Sequence, residues 1–253
     1  MHPFFHIGSL ILPSYGVFMA LGLILACGLA IVRFKRAGGD PNQMFIVAAC
    51  AVAGGLLGGH LLYLIASYGL DRAWNDIRSG NFSFLQAGGL VFYGSLIGGA
   101  IGFFLSSWLL RERLDRLIRV VMPCVPLGHA VGRIGCLFSG CCFGLPYHGW
   151  GAVRIEGASG ALSVFPIQAV ESLLNLLLFA VLLRCGKVGW SGRRMLSLYL
   201  TSYSVSRFTL EFFRGDLIRG ISYGLSTSQW ISLVLFFFGV ILLFPPLFQK
   251  KQI

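Results

Sequence analysis

Charge is what this chain has least of. Only 11% of its 253 residues are Asp, Glu, Lys or Arg, and only nine are acidic. A soluble domain carries about 25% charged residues. A chain this poor in charge cannot cover a water-facing surface, and a soluble globular fold is excluded. The net charge of +11 has neither a basic stripe nor an aromatic platform beside it, which argues against nucleic acid as a partner. No cleavable leader is expected. The first apolar run begins near Leu10, is longer than a signal-peptide core, and has no basic segment before it. No internal repeat and no low-complexity segment is evident, and the missing repeat argues against a transporter.

What is abundant is apolar. Hydrophobic residues make up 56% of the chain, and the mean hydropathy is +0.79. The 34 glycines fit close helix packing in a membrane. A span needs about 20 mostly apolar residues. Seven runs qualify: 12–32, 43–67, 88–110, 117–137, 166–184, 195–213 and 227–247. The fourth and sixth each contain an arginine, and the fourth also contains Pro123 and Pro126. The expected fold is therefore all-α, a single transmembrane domain over 1–253 with about seven helices. Longer connections fall at about 68–87 and 138–165. The first of these holds "YGLDRAWNDI", an interfacial stretch anchored by Trp74.

Basic residues set the orientation. Thirteen of the twenty Lys and Arg follow spans one, three, five and seven, and five lie in the opposite connections. The N-terminus is expected outside and the C-terminus in the cytoplasm, with the two long connections facing outward. The remaining two, Arg133 and Arg207, sit well inside spans, away from their ends.

A charge at mid-bilayer costs about 2.5–3.5 kcal/mol on insertion scales, so these two arginines need a reason. In "YSVSRFTLEFFRGD", Tyr203, Arg207, Glu211 and Arg214 follow at spacings of four, four and three and share one helical face. One reading is a structural ion pair between Arg207 and Glu211. The other is that Arg207 and Arg133 converge on a polar cavity and that Glu211 orients Arg207. Two guanidinium forks suit a phosphate, and a phospholipid headgroup is the anion always at hand.

The segments "PSYG", "GGLLGGHLLY", "GGLVFYGSLIGG", "PLGHAVGRIGCLFSGCCFG", "PIQAVES" and "YSVSRFTLEFFR" occur in that order on successive spans. Together they resemble the prolipoprotein diacylglyceryl transferase family, across most of the chain. The resemblance implies a multi-pass protein of the bacterial cytoplasmic (inner) membrane. It implies transfer of a diacylglyceryl group from phosphatidylglycerol to a cysteine thiol in the signal-peptide segment of a prolipoprotein, with no cofactor and no metal. It also implies phospholipid-binding roles for Arg133, Arg207, Tyr15, Tyr203, Gly135 and Gly144, and an acid at Glu171 after the Pro-x-Gln turn.

This chain departs from the family pattern at four places. Cys136 stands for the usual asparagine and Cys141 for a glutamate. Tyr93-Gly94-Ser95 replaces a His-Gly-Gly motif, and His60 stands where an arginine is common. The candidate catalytic residues are thus Tyr93 as a hydrogen-bonding group, Glu211 and Cys141. Glu211 and Glu171 are both candidate acceptors for the thiol proton. His129, one turn before Arg133, is either a further polar group of the site or a packed histidine. Cys136, Cys141 and Cys142 read as packing residues, as a covalent nucleophile, as a disulfide, or as a metal site with His129 or His148. Against the metal, C-x4-C-C is not a usual zinc spacing, and two adjacent cysteines rarely face one ion. The alternative function is a family relative that uses the same lipid pocket for another acceptor, or its own cysteines for thiol chemistry.

Overall fold

The structure, a computed structural model, describes residues 3–8, 10–80, 91–157, 160–215 and 221–244. Parts of the expected third span (88–90) and seventh span (245–247), and parts of both long connections, lie outside these residues. The chain divides into two compact units, Met1–Ala30 with Asp115–Ile253, and Ile31–Leu114.

The first unit opens with an antiparallel hairpin, β1 (Phe4–Ile7) and β2 (Leu10–Pro13). It leads into α1 (Ser14–Arg36), whose last turns belong to the second unit. Helix α1 was expected from residue 12, but strand pairing holds the backbone extended through Pro13. Phe5, Phe18 and Phe138 bring their rings within 5.0–6.4 Å of one another.

In the second unit, α2 (Pro41–Tyr63) starts cleanly. Asp40 accepts from the Asn42 amide, and Pro41 occupies the first turn, where a missing N–H does no harm. It runs on as a π-helical turn, Leu64–Tyr68. The expected interfacial stretch forms α3 (Leu70–Arg78), with Arg78 stacked over Trp74 at 5.2 Å. Helix α4 (Phe92–Leu109) packs on α2 through glycine. A Cβ on Gly98 would strike the Gly54 carbonyl, and one on Gly94 the Gly58 carbonyl.

The expected fourth span is two helices, α5 (Leu114–Val121) and α6 (Cys124–Ser139). The break falls at Met122–Pro123, where proline has no N–H to continue the ladder. Hairpin β3 (Val153–Gly157) and β4 (Gly160–Val164) follows, then α7 (Ile167–Lys187) and α8 (Gly192–Glu211). A two-residue hairpin, β5 (Ile221–Ser222) and β6 (Leu225–Ser226), leads into α9 (Thr227–Leu243). Ser226 and Gln229 close that helix with reciprocal caps. Three hairpins thus accompany a helical fold read as all-α.

Among the described residues, four spans, at Ser14–Arg36, Pro41–Tyr68, Leu114–Ser139 and Ile167–Lys187, are long and apolar enough to cross a membrane. Tyr93–Leu109 and Thr227–Leu243 are shorter apolar helices. Leu57 and Trp108 are 72% and 74% exposed. Large apolar side chains turned outward along apolar helices belong to a protein solvated by lipid.

Candidate functional site

Three helices of the first unit supply the buried charges. Gly132 and Gly135 let α6 lie tightly against α1. A Cβ on Gly135 would sit 2.8 Å from Phe18 Cβ and 3.4 Å from Tyr15 Cα. This close approach puts Tyr15 and Arg133 within electrostatic reach of each other. Gly135 is thus a contact between helices.

Glu171 of α7 is the pivot. Its Oε2 lies 2.9 Å from Arg133 Nε, and its Oε1 accepts from Arg207 Nη1 at 3.4 Å. Arg207 Nη2 reaches Glu211 Oε2 at 2.7 Å and donates to Ser228 Oγ at 3.1 Å. The side chains of Glu171, Arg207 and Glu211 are each under one tenth exposed. The Arg207–Glu211 pair and the convergence of the two arginines therefore coexist.

The Arg133 Nε–H points at His129, donating to Nε2 at 3.3 Å. The contact with Glu171 is accordingly an ion pair and not an aligned hydrogen bond, and Oε2 has no hydrogen-bond donor among the described residues. An arginine can only donate, so His129 Nε2 is an unprotonated acceptor and the ring is neutral. Its lone pair is engaged, which makes it a poor general base. The ring also lies 5.5 Å from that of Tyr203, which stacks on Tyr199 at 5.8 Å. Arg214 is buried and close enough to repel Arg207.

A cleft of about 240 Å³ opens between α7 and α8, lined by Leu174, Asn175, Leu177, Val181, Tyr203 and Ser206 among others. A second, much narrower space shares Leu174, Asn175, Tyr203 and Ser206 and is bordered by Glu171 and Arg207. An apolar slot therefore shares its wall with the charged cluster.

Past α6 the chain turns back on itself. Gly140 caps the helix in the left-handed conformation at φ 69°, and Cys142 is also left-handed at φ 57°. Gln168 Nε2 donates to the Cys141 carbonyl at 2.7 Å. Gly144 is part of the scaffold of this turn. Its N–H donates to Phe165 O at 3.2 Å, it bridges to Arg214, and a Cβ would lie 2.6 Å from Phe165 O. The reversal brings the sulfurs of Cys136, Cys141 and Cys142 within 4.8 Å of one another, all as free thiols. Adjacent cysteines do face one point here, against expectation, because the left-handed Cys142 turns its side chain back toward Cys136. Hydrogen bonds from Cys136 and Cys141, then the charges of Arg214 and Arg133, hold the Cys142 thiol below its usual pKa. His129 and His148 are not in this cluster.

Tyr93 and His60 belong to the second unit, in α4 and α2. The ring of His60 stacks near Tyr63 at 6.2 Å. Gln168 and Ser228 were not singled out from the sequence. Only the Pro-x-Gln turn pointed toward Gln168, and nothing distinguishes Ser228 from other helix serines.

The chain matches the family described as "Prolipoprotein diacylglyceryl transferase" over residues 2–245. It is 34% identical to the phosphatidylglycerol--prolipoprotein diacylglyceryl transferase of Clostridium tetani, covering 98% of each chain. It is 33% identical to the enzyme of that name from Dehalococcoides mccartyi, covering 98% of this chain and 94% of the relative. It is 32% identical to phosphatidylglycerol--prolipoprotein diacylglyceryl transferase 2 of Clostridium perfringens, covering 90% and 89%.

Proposed function

The chain belongs to the prolipoprotein diacylglyceryl transferase family, and from that premise we propose that it transfers a diacylglyceryl group from phosphatidylglycerol to a prolipoprotein cysteine. The observation that carries this reading is the pair of buried arginines, on α6 and α8, sharing Glu171 beside an apolar cleft. The cleft takes acyl chain, and the guanidiniums of Arg133 and Arg207 take the headgroup phosphate.

In the reaction the acceptor sulfur forms a bond to the glycerol carbon that bears the phosphate. The C–O bond breaks, and glycerol phosphate leaves with the electron pair. Arg133 and Arg207 stabilise the charge that builds on the leaving oxygen. Glu171 and Glu211 fix the two guanidiniums, and both carboxylates are spent on that task, so neither is the first choice as base. Tyr203 and Tyr15 line the headgroup region. Tyr93 is assigned a hydrogen bond to headgroup or acceptor. Gly135 and Gly144 act by permitting the close backbone approaches that shape the pocket. His60 carries no assigned step.

The setting is a multi-pass protein of the bacterial inner membrane. Seven spans cross it, and the N-terminus lies outside. The lipid donor and the signal-peptide acceptor meet on the outward side.

The test is release of glycerol phosphate from phosphatidylglycerol in the presence of a lipobox peptide. Arg133→Lys and Arg207→Lys keep the charge and lose the fork. Each is expected to lower turnover by about tenfold or more, less than the roughly 10²–10³ that complete loss of a transition-state donor costs because the charge remains, while the protein still inserts. Near-normal turnover in both variants leaves only a structural ion-pair role.

A further inference from the structure

The thiol cluster is not used by the lipid cradle, and packing does not account for its geometry. A residue other than glycine at φ 57° is strained, and a glycine at Cys142 would relieve that strain. The strain is held in place from outside. Gln168 pins the Cys141 carbonyl, the Leu145 N–H donates to Phe213 O at 2.9 Å, and the Gly215 N–H donates to Phe143 O at 3.1 Å. The turn is thereby fixed at both ends with three sulfurs facing one point. Cys136 is buried at the floor, Cys142 is half-buried, and Cys141 is exposed at the rim.

Three thiolates around a zinc ion at about 2.3 Å stand roughly 3.8 Å apart. The cluster, within 4.8 Å throughout, needs only a small contraction. We propose that Cys136, Cys141 and Cys142 bind one Zn²⁺ and leave its fourth position open on the Cys141 side, where the acceptor cysteine of the substrate peptide becomes the fourth ligand. Three protein ligands with one open position is the arrangement of catalytic zinc, and sulfur ligands select a soft or borderline ion over magnesium or calcium. Zinc with three thiolates carries one negative charge, and Arg133 and Arg214 lie within electrostatic range of the sulfurs.

The inference rests on the transfer reading above and supplies the step that reading leaves open, since the carboxylates and His129 are engaged elsewhere. The acceptor thiol coordinates zinc and loses its proton to water, because a coordinating thiol is deprotonated outright. Its sulfur then forms the S–C bond to the glycerol carbon while the C–O bond breaks and glycerol phosphate departs with the electron pair. No atom changes oxidation state through loss or gain of an external electron. The thioether, a weaker ligand than thiolate, leaves the metal.

The purified full-length protein in detergent tests this with zinc and cobalt alone as probes. Zinc competition against a chromophoric chelator is expected to give about one site per chain, weakened at least about tenfold in Cys136→Ser, Cys141→Ser and Cys142→Ser and unchanged in Cys185→Ser. Cobalt in the same site is expected to show a thiolate charge-transfer band. Its visible spectrum is expected to shift on addition of a lipobox peptide but not of the same peptide with serine for cysteine. Equal zinc binding by wild type and the Cys142→Ser variant overturns the proposal, as does a cobalt spectrum indifferent to the cysteine peptide. Glycerol phosphate release that survives complete removal of zinc also overturns it and leaves the transfer reading standing. A cobalt site that answers to the cysteine peptide, with no release under any condition, overturns the transfer step instead.

Discussion

Glu171 joins two helices by touching an arginine on each, and its removal separates structural from chemical effects at the site. With its carboxylate 5% exposed, losing it takes the described ion pair from Arg133 and leaves Arg207 with Glu211, and breaking a buried pair costs about 3–5 kcal/mol. Glu171→Ala is expected to melt well below the wild type in detergent. Glu171→Gln, which can still accept from Arg207, is expected to recover part of the loss. Equal melting of all three proteins would show that the bridge fixes nothing. His129 gives a second test at this scale. His129→Phe keeps a ring against Tyr203 but removes the acceptor for Arg133 Nε. Turnover is expected to fall through a weaker hold on phospholipid, seen as a raised KM, with the shape of the pH–rate profile unchanged. Disappearance of the acid limb in that variant would make His129 the base. Arg133, Arg207 and Glu211 were legible in the sequence because a charge in an apolar span is costly and draws notice. That Glu171 lies between the arginines was not legible, since the contact crosses 36 residues of sequence and no spacing rule covers it. The same holds for Gln168 and Cys141, 27 apart.

At the scale of elements, the helices follow the hydropathy closely because a helix satisfies its own backbone and a membrane allows little else. Their ends depart from it where local chemistry intervenes. Strand pairing delays α1 to Ser14, Pro123 divides α5 from α6, and Ser226 with Gln229 sets the start of α9. The three hairpins among the described residues were not legible, since strands of two to five residues have no membrane-scale signal. The glycine seam between α2 and α4 is readable in part as small residues at four-residue spacing. Its register, Gly54 against Gly98 and Gly58 against Gly94, comes only from the packed helices. Gly98→Val places two methyl groups where the Gly54 carbonyl lies, and the helices must separate. Its folded yield is expected to fall by about tenfold or more, within the roughly 1–3 kcal/mol cost of overpacking or above it, because a backbone carbonyl cannot rotate away. Gly28→Val, where a Cβ meets nothing within 4 Å, is the control and is expected to fold normally. A normal yield of Gly98→Val would show that α2 and α4 do not pack through glycine.

For the whole molecule, the surface is reversed relative to a soluble protein. Ile24, Leu57, Trp108 and Val234 point outward, while Ser172, Asn175, Ser197, Ser204 and Arg207 are buried. This reversal needs lipid outside, and it limits how the chain can be threaded through that lipid. Basic residues cluster in the last turn of α1 at Arg33, Lys35 and Arg36, after α4 at Arg111 and Arg113, and around the α7–α8 turn at Arg184, Lys187, Arg193 and Arg194. In the proposed topology these three groups fall on the cytoplasmic side, as the basic bias favours. The thiol turn at Gly140–Cys142 then falls on the other side, where an exported acceptor arrives. Alkaline phosphatase, active only outside, is therefore expected to be active when fused after Arg78 or Trp150 and inactive after Arg36 or Lys187. A membrane-impermeant maleimide applied to intact spheroplasts is expected to label Cys141 once zinc is removed, and to leave Cys185 at the cytoplasmic end of α7 unlabelled. Active fusions after Lys187 or labelling confined to Cys185 would invert the topology. The thiol cluster would then face the cytoplasm, away from the side on which a translocated prolipoprotein presents its cysteine, and the proposed transfer could not occur there.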